Sequence, residues 1–177
     1  MNIATLTLNP ALDKSSTTER LVPEQKLRCS AMRLDAGGGG INVSKGIHKL
    51  GGKSTAVFPA GGNNGKILKE LLAESGILTS IVEISSETRE NISITETSSN
   101  IQYRFTLPGD ELTPAKADAC LDIIEKIKPD YIVASGSLPP GLPETYYKKV
   151  AAFAKQIGAR FILDTSGKAL LSAADEG

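Results

Sequence analysis

Short apolar strands alternating with helical segments constrain this chain more than any other feature. Residues 3–8 alternate aliphatic side chains with threonine and end at Asn9-Pro10, the signature of a strand closed by a turn. Residues 54–60, 77–84, 131–134 and 161–163 read as further apolar strands. Between them the spacing predicts helices over 41–50, with Val43, Ile47 and Leu50 on one face and Gly51 as the stop. Others fall over 66–74, with Leu68, Leu71 and Leu72 inward, over 114–128 from an allowed first-turn proline, and over 144–156. Strands this apolar need helices on both faces, which means an α/β fold built on a mostly parallel, Rossmann-like sheet. Ligands of such sheets sit beyond the carboxyl ends of the strands. Asn9 to Asp13, Gly61-Gly62, Ser135 to Ser137 and Asp164 to Gly167 all fall there.

Two stretches break the alternation. Residues 14–34 are polar and β-leaning without helical period, and 88–107 contain a two-faced hairpin. Its arms are Asn91 to Thr97 and Ile101 to Phe105, with a turn at Ser98-Ser99-Asn100. Together the two stretches predict a small second sheet inserted in the first. The last residues, Ala173-Ala174-Asp175-Glu176-Gly177, read as one helix-like turn after the final strand.

Composition excludes several functions. Twenty basic residues balance twenty acidic ones, which argues against an electrostatic nucleic-acid binder. No run approaches the roughly 18–20 apolar residues that span a bilayer, so no membrane partner is expected. The N-terminus lacks the charged and long apolar regions of a signal peptide, and Cys29 and Cys120 form no CxxC pair. A reduced, cytoplasmic protein without structural zinc is the expectation.

The glycines concentrate where a chain would approach a ligand: Gly37 to Gly40, Gly51-Gly52, Gly61-Gly62 and around Gly136. Neither common phosphate motif fits them. A P-loop ending at Gly52-Lys53-Ser54 would need glycine where Ile47 stands, and GxGxxG from Gly37 would need glycine where Asn42 stands. What remains is Asp35-Ala36-Gly37-Gly38-Gly39-Gly40-Ile41-Asn42-Val43, four glycines feeding a helix N-terminus. Bare backbone there can lie against a hydroxylated or anionic ligand, or serve as a flexible hinge.

In order along the chain stand Thr7-Leu8-Asn9-Pro10-Ala11-Leu12-Asp13, the four-glycine run, Thr88-Arg89-Glu90-Asn91 and Ser135-Gly136-Ser137-Leu138-Pro139-Pro140-Gly141. This series resembles the ribokinase/PfkB family of carbohydrate kinases. Pro23 to Cys29, Phe58 to Gly62, Tyr103-Arg104-Phe105 and Asp164-Thr165-Ser166-Gly167 resemble its minor, ribokinase-type 6-phosphofructokinase branch. The resemblance implies a ribokinase-like fold in which residues 1–177 are the N-terminal portion of one kinase domain, with lid segments at about 14–34 and 88–107. It implies that Asp13, Asn42 and the backbone of Gly38 and Gly39 cradle sugar hydroxyls, that Arg89 and Arg104 hold a sugar phosphate, and that Ser137 contacts the sugar. Lys26 would reach nucleotide bound at a partner subunit, or is simply a solvated lysine. Asp164 would stand near Mg²⁺ through water. ATP is the implied co-substrate, and a homodimer through the lid sheets the implied assembly. His48, the only histidine, falls on the polar side of its helix, where a surface role is expected.

The chain also departs from the family. No GAGD segment, which would carry the general-base Asp, and no family-type NxxE segment occur, so no catalytic residue is assigned here and the C-terminal part of the domain is expected to be missing. Glu90 replaces an amide, where it would weaken phosphate attraction or pair with Arg104. The implied activity is phosphorylation of fructose 6-phosphate to fructose 1,6-bisphosphate in glycolysis, this chain alone being inactive. The alternatives are a 1-phosphofructokinase, a tagatose-6-phosphate kinase, or a non-catalytic sugar-phosphate binding module.

Overall fold

A computed structural model of the protein describes residues 1–174; the end of the expected final turn, residues 175–177, lies outside them. The elements run β1 (Ile3–Leu6), β2 (Ala11–Thr18), β3 (Arg33–Gly37), α1 (Gly39–Lys49), β4 (Thr55–Ala60), α2 (Gly62–Glu74), β5 (Leu78–Glu83), β6 (Arg89–Glu96) and β7 (Ile101–Thr106). There follow α3 (Pro114–Ile127), β8 (Tyr131–Ser135), α4 (Tyr146–Gln156), β9 (Arg160–Asp164) and α5 (Gly167–Ala174). The expected α/β architecture is present. A five-stranded sheet in the order β5-β4-β1-β8-β9 is parallel throughout.

Alternation along each strand divides the interior into two cores. Ala56, Phe58 and Ala60 of β4 pack with Ile41 of α1 and Leu68 and Leu72 of α2. Val57 points the other way, joining Leu6 and Leu8 with Ala117, Leu121 and Ile124 of α3 and Tyr147 and Val150 of α4. Each fully buried leucine such as Leu6 or Leu68 contributes about 2 kcal/mol over its exposed state. Burial pushes the Cys120 thiol up to about 12, so it is an inert core residue. No helix among the described residues is long and apolar enough to cross a membrane.

The second sheet has the order β3-β2-β6-β7. Two antiparallel hairpins, β2–β3 and β6–β7, are joined by a parallel pairing of β2 with β6 that sets Asp13 opposite Asn91. Its first hairpin begins at Ala11 and closes at Gly37. Asp13, expected at the end of the first strand, therefore sits inside β2: Asn9-Pro10 is a corner between two sheets, not a strand followed by a loop.

Two helices start earlier than their apolar periodicity predicts. Helix α1 begins at Gly39, and its buried residues are Gly40, Ile41 and Ser44, whereas Leu50 is 89% exposed. The helix rides too close to β1 for large side chains: a Cβ on Gly40 would stand 2.6 Å from the Leu6 carbonyl oxygen. Ser44 fills that face instead, its Oγ 2.8 Å from Thr5 Oγ1. Helix α2 begins at Gly62, four poor helix formers before Lys66. A distant carboxylate caps it, since the Asn64 N–H donates to Glu87 Oε1 at 2.5 Å.

Candidate functional site

The carboxyl ends of β1, β8 and β9 open toward the second sheet, and polar side chains from four segments meet there. Parallel pairing of β2 with β6 places Asp13 and Asn91 side by side on one face, and Asn91 Nδ2 donates to Asp13 Oδ1 at 2.8 Å. Arg89, two residues earlier in β6, donates through Nη1 to Asn91 Oδ1 at 2.9 Å and to the Leu107 carbonyl at 3.3 Å. Its Nε and Nη2 both reach the carbonyl of Asn9, at 3.3 and 3.2 Å. Asn9 Nδ2 in turn donates to Ser137 Oγ at 3.3 Å. A continuous polar chain thus runs from Ser137 through Asn9, Arg89 and Asn91 to Asp13. Burial pulls the Arg89 pKa below its ordinary value, and the Asp13 carboxylate opposes that shift.

The glycine run packs against this chain and is no loose hinge. A Cβ on Gly37 would lie 2.3 Å from Asp13 Oδ2, and one on Gly39 would lie 2.2 Å from Ser135 Oγ. Gly38, at φ +124°, takes a backbone conformation that L side chains rarely adopt. Thr7 Oγ1 accepts the Ile41 N–H at 2.9 Å and so ties the first turn of α1 to the end of β1. The Gly136 carbonyl beyond β8 accepts from Tyr147 Oη and Thr165 Oγ1, each at 2.9 Å. Burial, with the nearby Asp164 charge, pushes the Tyr147 phenol well above its ordinary value, so it stays a donor.

The remaining expected residues are distributed unevenly. Arg104 is exposed, donates to Gln102 Oε1 at 2.7 Å, and shares with Asp13, Asn91, Ser93 and Thr106 a cleft of about 350 Å³ on the polar face of the second sheet. Arg89 and Ser137 open instead on a cleft of about 800 Å³ that Thr106 also borders. Asn42 is exposed on the first turn of α1, and Lys26 is exposed on the loop between β2 and β3, outside the linings of both clefts. His48 is exposed. Asp164 Oδ2 accepts from Ser135 Oγ at 2.8 Å. Among the described residues no three His, Cys, Asp or Glu converge on a common point.

Glu90 does not pair with Arg104. It points to the opposite face of β6, where it forms an ion pair with Lys14 and accepts from Asn64 Nδ2 at 3.4 Å. Hydrogen bonding to Lys14 is the main cause of its lowered pKa. A depressed carboxylate stabilises above its unfolded-state pKa, and that stabilisation disappears as pH falls through the folded-state value. Glu90→Gln is therefore expected to cost about 0.5 kcal/mol at neutral pH and nothing in acid. Urea titrations of both proteins across that range measure the difference, and a gap persisting in acid would refute the ion-pair explanation.

Two participants, Asn9 and Asn91, stand inside the quoted motifs but carry no site role of their own in the sequence reading. Residues two apart in a strand share a face, so the position of Arg89 also marks Asn91. Asn9 acts on Arg89 through its main chain, for which side-chain identity gives no signal.

The model of the pfkB family carbohydrate kinases matches residues 7–176, and the chain belongs to that family. It is 46% identical over 170 residues to the ATP-dependent 6-phosphofructokinase isozyme 2 of Mycobacterium tuberculosis, covering 95% of this chain and 50% of that protein. A 1-phosphofructokinase of Xanthomonas campestris is 37% identical over 173 residues, covering 96% and 54%. The crystal structure of Escherichia coli phosphofructokinase-2 in complex with substrates and products superposes with a TM-score of 0.96 at 40% identity, covering 100% of this chain and 58% of that one. The expected ribokinase-like fold is thus present, and the chain spans about half the length of the curated relatives it matches.

Proposed function

We propose that this chain carries the sugar-phosphate site of an ATP-dependent phosphosugar kinase whose acceptor is fructose 6-phosphate and whose product is fructose 1,6-bisphosphate. The supporting observation is the polar chain from Ser137 to Asp13, which sets a carboxylate that accepts from sugar hydroxyls beside guanidinium groups suited to a phosphate. Asp13 and the Gly38-Gly39 backbone orient the sugar, and Arg104 and Arg89 hold its phosphate. Four of the five Arg89 N–H donors are spent on protein oxygens, which leaves one Nη2 N–H for a phosphate oxygen. In the transfer, the acceptor hydroxyl gives its proton to a general base, its oxygen bonds the γ-phosphorus of ATP, and the bond to ADP breaks. That base, the ATP site and the Mg²⁺ ligands are assigned to the rest of the family domain, so residues 1–177 alone bind sugar phosphate without turnover.

The match to a 1-phosphofructokinase supports a second reading, with fructose 1-phosphate as acceptor. The outer face of β7, where Ile101, Tyr103 and Phe105 are all exposed, supports a homodimer formed through the second sheet. Calorimetric titration with fructose 6-phosphate, fructose 1-phosphate and fructose separates the readings. Fructose 6-phosphate is expected to bind tightest, and Arg104→Ala to weaken it about tenfold while leaving fructose unaffected. Equal affinity for all three sugars would reject the phosphate assignment, and sedimentation as a monomer at every concentration would reject the dimer.

A further inference from the structure

The root of β6 is held from the side away from the sugar cleft. Thr88, immediately before Arg89, is 3% exposed and tied to the start of α2 by three hydrogen bonds. Its N–H donates to the Gly61 carbonyl at 3.0 Å, its hydroxyl donates to the same oxygen at 3.1 Å, and that hydroxyl accepts the Gly61 N–H at 3.0 Å. Asn64 closes the arrangement, with Nδ2 donating to the Thr88 carbonyl at 2.9 Å and reaching Glu90 Oε2 at 3.4 Å. The residues on either side of Arg89 are thereby fastened to α2, while Arg89 itself turns the other way onto Asn9. The fit leaves no slack: a Cβ on Gly61 would stand 2.2 Å from the Ile84 carbonyl oxygen, and one on Gly65 would stand 3.0 Å from Thr88 Oγ1. Gly61 has no side chain with which to cap α2, so strand root and helix start satisfy each other.

We propose that Thr88 and Asn64 are positioning residues that fix where the Arg89 guanidinium stands, the first turn of α2 serving as the anchor of the second sheet. A side chain bonded to several protein oxygens holds its place only if its backbone does, and binding geometry is sensitive to displacements of an ångström. The ligand arm of the test rests on the phosphosugar reading above; the other arm does not.

The test uses the 177-residue chain and two variants, with Thr88→Ser as the conservative control. Solvent exchange of the Arg89 Nε–H, measured by NMR, is expected to quicken about tenfold in Thr88→Val and in Asn64→Ala and to return to normal in Thr88→Ser. Fructose 6-phosphate affinity is expected to fall about tenfold in the same two variants, with fructose affinity unchanged. Arg89 exchange within about twofold of wild type in folded Asn64→Ala overturns the proposal, and that variant decides if Thr88→Val does not fold. A wild-type chain that binds no fructose 6-phosphate sinks the substrate reading alone, because the exchange arm still decides the anchor.

Discussion

Gly39→Ala is expected to lower the unfolding free energy by about 3 kcal/mol, although alanine is the better helix former by about 1 kcal/mol. The new Cβ would meet not only Ser135 Oγ but also main-chain atoms, the Ser135 carbonyl carbon at 2.5 Å and the Gly136 nitrogen at 2.7 Å. A side chain can rotate away, but the end of β8 cannot without disturbing its pairing with β1 and β9. Gly46, in the same helix, provides the control. Nothing lies within 4 Å of a Cβ built there, so Gly46→Ala is expected to stabilise by about 0.5–1 kcal/mol through propensity alone. Urea denaturation of the pair reads both signs in one experiment. Equal stabilisation by the two would mean that α1 is not packed against β8 as described.

Asp13→Ala is expected to weaken fructose 6-phosphate binding by about 10- to 100-fold, the range for losing a hydrogen bond to a charged group. The thermal midpoint is expected to move little, because Asp13 is only partly buried and stands inside a strand paired on both sides. Its removal also takes a negative charge away from beside Arg89, so affinity for inorganic phosphate should hold or rise while that for the sugar falls. Calorimetry with both ligands measures this. Unchanged affinity for fructose 6-phosphate would remove Asp13 from the site.

Much of this architecture was legible because strand and helix periods are local. The alternation of apolar strands with helices, the hairpin around Ser98-Ser99-Asn100 and the polar ends of β8 and β9 stand where the pattern places them, whereas Asp13 falls inside β2. What escaped depends on partners distant in the chain. The first turn of α2 contains two glycines and two asparagines and looks unlike a helix until Glu87 caps it. Leu50 fits an inward helical stripe, yet the inward face of α1 belongs to Gly40 and Ser44 because the strand beneath is so near. Glu90 beside Arg89 suggested a pair with Arg104, but strand alternation sends the neighbour of Arg89 to the opposite face, toward Lys14. The glycine run was marked by its composition, and only the structure shows that its narrowness serves the contact with Ser135 and Asp13 as well as any approach to a ligand.

The parallel pairing of β2 with β6 also governs the order in which this protein can assemble. Hairpins β2–β3 and β6–β7 are local and close early, but joining them brings together residues as far apart as Asp13 and Asn91, with α1, β4, α2 and β5 lying between. During synthesis β2 leaves the ribosome long before its parallel neighbour and waits with one edge unpaired. The joined sheet, and the polar chain from Ser137 to Asp13 with it, is therefore a late event in folding that follows the packing of the strands and helices between its halves.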